Sequence, residues 1–438
     1  MRTPQQTALR HIWYPCAQIK DYEKFPPLEV IAAEGPYFTL TSGEKLIDAV
    51  ASWWCKSLGH GHPVLKRALR QQLDRFEHVL LADVTHQPVV ELAENLAGLT
   101  TSLDKVLFAS DGACAVEMAL KMSAHVRRLR GQSHKKDFAF LQNAYHGETI
   151  ATISVSGLPL YRKHYESLFA NNTHVIKGIP YVFNVDDPLW SDASSVWLDT
   201  ERQLNILADK LTAIIVEPLL QGAAGMLLYS ADWLKRLRAW CYANDVYLIA
   251  DEIMTGMGRT GKWLACQHAN VEPDFLCLAK SLTAGWLPLS AMLTRSDIYN
   301  YFYDDYATGK AFMHSHTYAG NALAVAVANA VFKVMRSEKT LDYVNQQLAP
   351  CLLRNMKQVA EQAGNLTNIR QLGAVIAADL SIEPPGRWGY LLYQQAIKLG
   401  ALLRPLGNTL YWFLPLNTST HVVDELAEIT RLALQAAH

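Results

Sequence analysis

The chain has 438 residues, of which 50% are hydrophobic and 18% are charged, a balance typical of a globular protein with a large core. Its 40 basic and 41 acidic residues leave a net charge of −1, which gives no support to nucleic acid or to an anionic membrane as a partner. The seven cysteines are scattered and never spaced CxxC, so we expect reduced thiols and not a disulfide framework or a zinc module. We find no secretory leader and no membrane-spanning segment, and we expect a cytoplasmic location.

From about residue 105 the sequence alternates between strand-like and helix-like segments. Residues 105–110 (KVLFAS) predict a strand, and residues 115–130 predict an amphipathic helix behind it. Short apolar runs rich in β-forming residues predict further strands at 137–142, 212–218, 247–253, 274–280 and 289–294. Helical periodicity covers 230–246, and the polar stretch 183–203 predicts an excursion or loop within the domain. This alternation predicts an α/β fold with a largely parallel central sheet covered by helices on both faces.

The remaining segments predict how the chain divides into domains. Residues 321–335 predict a helix that leads out to a C-terminal unit of mixed strands and helices. We expect a large domain at 61–325, a smaller α+β domain at 326–438, and an N-terminal segment at 1–60 that joins the smaller domain.

The predicted strands end in residues that would meet a ligand, because ligands of an open parallel sheet sit at the carboxyl ends of its strands. The residues at those ends are Asp111-Gly112, Asn143 to His146, Glu217, Asp251-Glu252 and Lys280. Taken alone, Lys280 has the simpler interpretation of a residue whose stem packs while its amine reaches water. Asp251 likewise has the simpler interpretation of a loop acid that caps the next turn.

Two of these strand ends suit particular parts of a ligand. Gly112 and Ala113 open a helix directly after a strand, so their free N–H groups and the helix dipole would make an anion seat. An ordinary helix start capped by Ser110 or Asp111 explains the same pattern. Tyr145 lies on a loop at the same edge, where its ring would stack on a flat heterocycle or simply pack.

Three further patterns suggest other chemistry. GMGRTGK (256–262) fits a P-loop, but Trp263 stands where a P-loop needs Ser or Thr to hold magnesium. The His60/His62 and His314/His316 pairs invite a metal site, yet neither comes with an obvious third ligand. We therefore keep nucleotide hydrolysis and metal catalysis as alternatives only.

Several segments together resemble the class III aminotransferases of fold type I, which depend on pyridoxal 5′-phosphate. They are YLIADEIMTGMGRTG (247–261), CLAKSLTAGWLPLS (277–290) and TYAGNALA (317–324). The resemblance runs over nearly the whole chain. Within the class, HIWYPCAQIKDYE (11–23), ASWWCKSLGHGHP (51–63) and LLRPLGNTLYWFLP (402–415) resemble the members of the biotin pathway.

The resemblance implies roles for the strand-end residues toward pyridoxal phosphate. Lys280 would hold the cofactor covalently and then act as general base, for which its amine must be neutral. Asp251 would keep the pyridine nitrogen protonated, and Tyr145 would stack on the ring, so these three are the implied catalytic residues. The phosphate would rest on Gly112 and Ala113.

The resemblance also implies a homodimer with shared active sites. Thr317 resembles the phosphate contact that arrives from the neighbouring subunit, with His316 beside it. Many relatives have Gly-Pro-Thr where this chain has Ser315-His316-Thr317, and Ser315 is the implied substrate contact in this segment.

The implied substrates are 8-amino-7-oxononanoate as acceptor and S-adenosyl-L-methionine as amino donor. Trp53 and Trp54 would wall an apolar channel for the methylene chain, unless they are ordinary core, and Arg404 would pair with a carboxylate. Tyr411 is a weaker pocket candidate. Cys16 is an implied substrate-binding residue, because some relatives have tyrosine at its position.

Other functions fit parts of the pattern. Lysine as donor would need no different residue that we recognise, and an ω-amino-acid transaminase or an aminomutase of the same fold would also use Lys280 and Asp251. From other classes, a P-loop ATPase would use Lys262, and a metalloenzyme would use the histidine pairs.

Overall fold

The computed structural model describes residues 4–437 of the chain. The strands are β1 (Val30–Glu34), β2 (Tyr37–Leu40), β3 (Lys45–Asp48), β4 (Lys105–Ala109), β5 (Asp137–Leu141), β6 (Thr173–Ile176), β7 (Tyr181–Val182), β8 (Leu211–Val216), β9 (Leu220–Gln221), β10 (Leu227–Tyr229), β11 (Tyr247–Asp251), β12 (Phe275–Leu278), β13 (Ser290–Thr294), β14 (Leu366–Leu372), β15 (Val375–Leu380), β16 (Ala401–Leu402) and β17 (Thr409–Trp412). The helices are α1 (Pro4–His11), α2 (Ala51–Trp54), α3 (Pro63–Leu73), α4 (Gln87–Ala97), α5 (Gly112–Leu129), α6 (Ile150–Ser154), α7 (Pro159–Arg162), α8 (Pro188–Ser191), α9 (Ser194–Asn205), α10 (Ala231–Ala243), α11 (Ser296–Tyr299), α12 (Ala322–Ser337), α13 (Thr340–Tyr343), α14 (Ala349–Ala363), α15 (Trp388–Leu399) and α16 (Thr420–Ala437).

A seven-stranded sheet in the order β4-β13-β12-β11-β8-β5-β6 forms the centre of the molecule. Strand β13 is antiparallel to both of its neighbours, whereas the other pairings are parallel. Every residue of β8, β11, β12 and β13 is buried, as expected for strands with helices on both faces. The sheet confirms the α/β prediction, and all of its strands except β6 lie in segments that the sequence predicted as strands.

Three smaller sheets complete the described part of the chain. In the first, β1, β2 and β3 are joined by β16, which pairs in parallel with β3. The second is the antiparallel set β14-β15-β17, and the third is β7-β10-β9. The pairing of β3 with β16 connects the first sixty residues to the C-terminal part. The predicted boundary at residue 325 falls inside α12, and the division into domains stays a prediction.

The prediction of a loop at 183–203 is wrong, because this stretch contains α8 and most of α9. The Asp187 carboxylate accepts the N–H of Leu189 at 2.9 Å, and Pro188 occupies the first turn of α8. Trp197 of α9 is buried against Trp233 of α10, with ring centroids 6.2 Å apart. The exposed faces of these helices give the segment its polar composition.

Within residues 4–437, no helix combines the length and the apolar character that a bilayer crossing requires.

Candidate active site

A cavity of about 1300 Å³ lies at the carboxyl ends of the central strands. The residues that line it at those ends follow β4, β5, β8, β11 and β12, and they include Gly112, Tyr145, Glu217, Asp251 and Lys280. These strands are parallel to one another, so their carboxyl ends meet at one edge of the sheet. The structure therefore brings together the strand-end residues that the sequence singled out.

Lys280 begins a 3₁₀ helix (Lys280–Thr283) just beyond the end of β12. Its backbone has φ 41°, a left-handed conformation that non-glycine residues seldom adopt. Burial lowers the pKa of its amine, although the Asp251 and Glu217 carboxylates act in the opposite direction. A lysine with a lowered pKa has a larger neutral fraction, which is the nucleophilic and proton-accepting form.

Asp251 ends β11, the parallel neighbour of β12, and it pairs in register with Cys277. Nδ1 of His146 lies 2.8 Å from Oδ2 of Asp251, and the Ile253 N–H donates to Oδ1 at 3.2 Å. Nε2 of His146 is buried and has no hydrogen-bond partner among the described residues. No role was predicted for His146, although its position directly after Tyr145 on a strand-end loop was a signal.

Glu217 lies at the base of the cavity and is almost fully buried. Its carboxylate accepts the N–H of Tyr145 at 2.9 Å and the N–H of Gly222 at 3.0 Å. Burial raises the pKa of this carboxyl to about 7, against the opposing effects of His146 and of the two N–H donors. Glu217 thus fixes the backbone of the loop that carries the Tyr145 ring.

The helix α5 starts at the cavity wall with Gly112 and Ala113. Asp111 caps it by accepting the N–H of Cys114 at 3.1 Å, so Asp111 and not Ser110 is the cap. A Cβ at Gly112 would lie 2.9 Å from Cδ1 of Ile253, and one at Gly147 would lie 2.8 Å from Cβ of Ala113. Glycine at both positions lets the backbone approach closely around the N-terminus of an 18-residue helix, where an anion is favoured.

These groups can be compared with the chemistry of pyridoxal phosphate. A phosphate would meet the N-terminus of α5, and an aldehyde would meet a lysine with a lowered pKa. A protonated pyridine nitrogen would meet the Asp251 carboxylate, which His146 holds in place. The residues present therefore fit this cofactor.

Trp53 and Trp54 lie in α2, which is a single left-handed turn. Ala51, Ser52, Trp53 and Trp54 have φ values of 45°, 46°, 71° and 70°. Each non-glycine residue in this conformation costs ~1–2 kcal/mol, so the surrounding contacts must compensate. Trp53 is 46% exposed and lines the cavity, whereas Trp54 is buried, with its ring 4.8 Å from Nζ of Lys280.

Arg404 lines the same cavity two residues after the end of β16. Its guanidinium lies 4.6 Å from the ring of Trp53, and Nη2 donates to the carbonyl of Cys16 at 3.3 Å. Among residues 8–437, no carboxylate lies within ion-pair distance of Arg404. An unpaired guanidinium on an aromatic face is a ready site for a ligand carboxylate.

Cys16 lines the cavity next to Glu148, with its Sγ 3.9 Å from Oε1 of that carboxylate. The hydroxyl of Tyr145 donates to the same oxygen at 2.8 Å, and the ring of Tyr161 packs edge-on against Tyr145 with centroids 5.1 Å apart. Burial together with Glu148 raises the pKa of the Cys16 thiol. The sequence analysis missed Glu148 and Tyr161.

Four predicted residues lie outside the cavity wall. Ser315 and Thr317 are exposed, and Nδ1 of His316 lies 3.5 Å from Oγ of Ser110. Tyr411 is buried behind Trp54, whose Nε1–H donates to its hydroxyl at 3.2 Å. Tyr411 does not line the cavity of this chain, and its place as a weaker pocket candidate stays a prediction.

The outer rim of the cavity was not predicted. Arg387 and Asp21 both line it, and they form a two-point ion pair at 2.6 and 3.1 Å. The guanidinium of Arg387 also lies 4.4 Å from the ring of Tyr390. These residues come from the two ends of the chain, and nothing in their local sequence indicates that they meet.

The P-loop-like segment 256–262 does not open around a ligand. Lys262 donates to the carbonyl of Gln267 at 3.0 Å, and a Cβ at Gly258 would lie 2.6 Å from Cε of Met335 in α12. In the first predicted histidine pair, His60 contacts Asp48 at 3.0 Å, whereas the members of the second pair contact each other, with Nε2 of His314 3.2 Å from Nε2 of His316. In the described part of the chain, no three His, Cys, Asp or Glu side chains are grouped to hold a metal ion.

Comparison with known proteins adds a family to this geometry. The model of the family "Aminotransferase class-III" matches residues 19–434. The chain is 37% identical over 413 residues to adenosylmethionine-8-amino-7-oxononanoate aminotransferase of Helicobacter pylori, covering 93% of this chain and 92% of the relative. It is 31% identical over 448 residues to the protein of that name from Methanocaldococcus jannaschii, covering 98% and 96%.

Solved structures give the same family. The crystal structure of the M. jannaschii protein matches with a TM-score of 0.91 at 28% identity, covering 99% of this chain and 98% of that one. An amine transaminase from an uncultivated Pseudomonas species, solved in its pyridoxal-phosphate-bound form, matches with a TM-score of 0.89 at 28% identity, covering 98% and 99%. These matches confirm the predicted fold type I architecture and the predicted cofactor. The chain belongs to the class III aminotransferases, which depend on pyridoxal phosphate.

Proposed function

We propose that this enzyme converts 8-amino-7-oxononanoate to 7,8-diaminononanoate in biotin biosynthesis, with S-adenosyl-L-methionine as the amino donor. The relatives that carry this activity in their names, at 30–37% identity over nearly the whole chain, support the proposal. The observation that carries it is the unpaired guanidinium of Arg404 on the face of Trp53, at an apolar wall of the cavity. That arrangement suits a methylene chain that ends in a carboxylate.

Lys280 and Asp251 would divide the chemical work. When bound, pyridoxal phosphate supplies an electron sink for the substrate carbanion. Nζ of Lys280 would take the proton from the substrate carbon that bears the amine and release it at the other end of a 1,3-proton shift, a task that its lowered pKa favours. Asp251, oriented by His146, holds a proton on the pyridine nitrogen.

The other cofactor contacts come from the backbone and from one ring. The N–H groups of Gly112 and Ala113 bind the phosphate, and Ala113 offers no hydroxyl. The Tyr145 ring would stack on the cofactor, and it is held for this role by Glu217, which accepts its N–H, and by Glu148, which accepts its hydroxyl.

The acceptor would lie along the tryptophans. Trp53 and Trp54 exclude water from its methylene chain, and Arg404 binds its carboxylate through two N–H groups. Cys16 borders the reacting end beside Tyr145 and Glu148.

A panel of amino donors tests this proposal. Purified holoenzyme is incubated with 8-amino-7-oxononanoate and either S-adenosylmethionine or lysine, and 7,8-diaminononanoate is measured by mass spectrometry. We expect product with S-adenosylmethionine. Product formed with lysine but not with S-adenosylmethionine would show that lysine is the donor. No product with either donor would reject the biotin-pathway assignment.

A broader transaminase is the second candidate, because the amine transaminase from Pseudomonas is as similar in sequence as the M. jannaschii structure. An assay with ω-amino acids or simple amines as donors and pyruvate as acceptor separates the two. A broader transaminase should turn over these donors with pyruvate faster than it turns over 8-amino-7-oxononanoate.

We also propose a homodimer in which Thr317, with His316 and Ser315 beside it, contributes to the neighbouring subunit's site. The exposure of Ser315 and Thr317, away from the cavity of their own chain, supports this arrangement. Mixing Lys280→Ala subunits with Thr317→Ala subunits should restore activity, because each heterodimer would contain one site with both residues intact. If the activity of the mixture does not exceed that of either variant alone, and sedimentation gives the mass of a monomer, shared sites would be rejected.

The expectation of a cytoplasmic location stays a prediction.

A further inference from the structure

The left-handed turn α2 is held by one buried carboxylate that the reaction does not use. Asp48, at the end of β3, is 1% exposed. Its Oδ1 accepts the N–H of Ser52 at 3.1 Å, and its Oδ2 accepts the hydroxyl of Ser52 at 2.8 Å. Both oxygens therefore hold the second residue of a turn that L-amino acids otherwise avoid.

His60 completes this cluster from the other side. Its Nε2 lies 3.0 Å from Oδ2 of Asp48 and 3.5 Å from Oγ of Ser52. The serine and the carboxylate thus share one ring nitrogen, whereas a catalytic triad uses the two nitrogens for different partners. The arrangement braces the carboxylate and does not activate the serine.

The same cluster lies beside the strand that leads to Arg404. In the parallel pairing of β3 with β16, Asp48 stands opposite Leu402, two residues before Arg404. The turn follows β3 and carries Trp53, whereas Arg404 follows β16. The ring of Trp53 and the guanidinium of Arg404 lie 4.6 Å apart. It also places the buried Trp54 ring 4.8 Å from Nζ of Lys280.

We propose that Asp48 is a positioning residue for substrate binding, because its carboxylate, braced by His60, holds the left-handed turn that sets Trp53 against Arg404. This inference rests on the proposed function, in which those two residues bind the carboxylate end of the acceptor. Asp48 itself touches no substrate and acts through the tryptophan.

The test measures binding of nonanoate, a nine-carbon carboxylate, to the holoenzyme. Asp48→Asn keeps the size of the side chain, but it replaces one of the two carboxylate oxygens that accept from Ser52 with an amide NH2 group, which can only donate. We expect the dissociation constant for nonanoate to rise about tenfold as the guanidinium and the tryptophan lose their fixed geometry. In turnover, KM for the acceptor should rise by a similar factor while kcat changes little.

A matched control is Asp137→Asn. Asp137 is the first residue of β5, remote from the strand ends that carry the site, and its Oδ2 lies 2.7 Å from Nε2 of His174 in β6, so the variant breaks another Asp–His pair. We expect nonanoate binding within twofold of wild type in this variant. Thermal unfolding of both variants shows whether a loss of binding merely follows a loss of stability.

A rescue variant separates positioning from general stability. Glycine adopts left-handed φ without steric cost, so Ser52→Gly in the Asp48→Asn background should recover most of the nonanoate affinity. A merely structural role of Asp48 predicts no such recovery, because glycine supplies no replacement for the lost buried contacts.

Two results would overturn the inference: nonanoate affinity in Asp48→Asn that equals wild type, or wild-type protein that does not bind nonanoate. Failure of the proposed function is a different result, namely no 7,8-diaminononanoate with either donor, and it leaves the comparison of nonanoate affinities intact.

Discussion

Nδ1 of His146 lies 2.8 Å from Oδ2 of Asp251, in a buried position where the other ring nitrogen has no partner among the described residues. A buried carboxylate whose hydrogen-bond partners are fixed keeps its orientation. In the proposed function, His146 would therefore determine how Asp251 meets the cofactor ring.

Replacement of His146 by Phe should weaken cofactor binding and reduce kcat by about 10–100-fold, the usual range for a lost orienting partner. His146→Asn should recover much of both, since its amide nitrogen takes the place of Nδ1 as donor. Equilibrium dialysis of the cofactor and single-substrate kinetics measure the two effects. Equal behaviour of the Phe and Asn variants would contradict a role through the hydrogen bond.

Glu217→Gln should change how stability depends on pH. Burial raises the carboxyl pKa from 4.5 to about 7 in the folded state. Between those values the folded state binds a proton that the unfolded state has released, so this residue lowers stability as pH rises through the window. Relative to wild type, the variant should gain stability from pH 5 to pH 8, measured by thermal unfolding of cofactor-free protein. A difference that stays constant with pH would show that Glu217 does not titrate there.

Lys280→Ala should abolish covalent attachment of the cofactor. After borohydride reduction, the intact mass of wild-type protein should increase by one reduced cofactor, whereas the variant should keep its unmodified mass. Turnover should fall by at least ~10²–10⁴-fold, because a positioned general base is lost. Lys262→Ala is the matched control, since Lys262 donates to the carbonyl of Gln267 and does not line the cavity. Loss of activity in that control would instead support the P-loop alternative.

Arg404→Lys should raise KM for the keto acid about tenfold and leave kcat nearly unchanged, since an ammonium lacks the planar fork that binds a carboxylate and stacks on Trp53. Arg404→Ala should raise KM further. Steady-state kinetics with 8-amino-7-oxononanoate measure both variants.

Arg387→Ala serves as the control for Arg404, because Arg387 is largely exposed and already pairs with Asp21 at the rim. We expect less than a threefold change in KM, as for most exposed ion pairs. A larger effect than that of Arg404→Ala would move the carboxylate site to the rim.

The central sheet and the positions of Lys280 and Asp251 at its edge were predictable from the sequence because their signals are local, whereas the proposed roles of the two residues came from the resemblance. Runs such as FLCL before Lys280 and YLIA before Asp251 are buried on both faces, so they are apolar throughout and easy to recognise. The carboxyl ends of parallel strands then bring Lys280 and Asp251 together without further information.

The parts that were missed depend on contacts between distant segments. The left-handed turn of α2 depends on Asp48 and His60, and no residue within Ala51–Trp54 favours positive φ. The partners of Arg387 and Asp251 likewise come from elsewhere in the chain. The error at 183–203 has a local cause. The exposed face of α9 makes this stretch polar, so the helix was not recognised although Trp197 buries its other face.

The pairing of β3 with β16 also determines when the substrate wall is completed. Trp53 and Arg404 are separated by about 350 residues of chain, yet they meet across these two short strands. A nascent chain would form the strands that carry Asp251 and Lys280 well before Arg404 leaves the ribosome, because contacts between distant segments form last. During synthesis, the part of the site that holds the cofactor therefore forms before the part that selects the substrate.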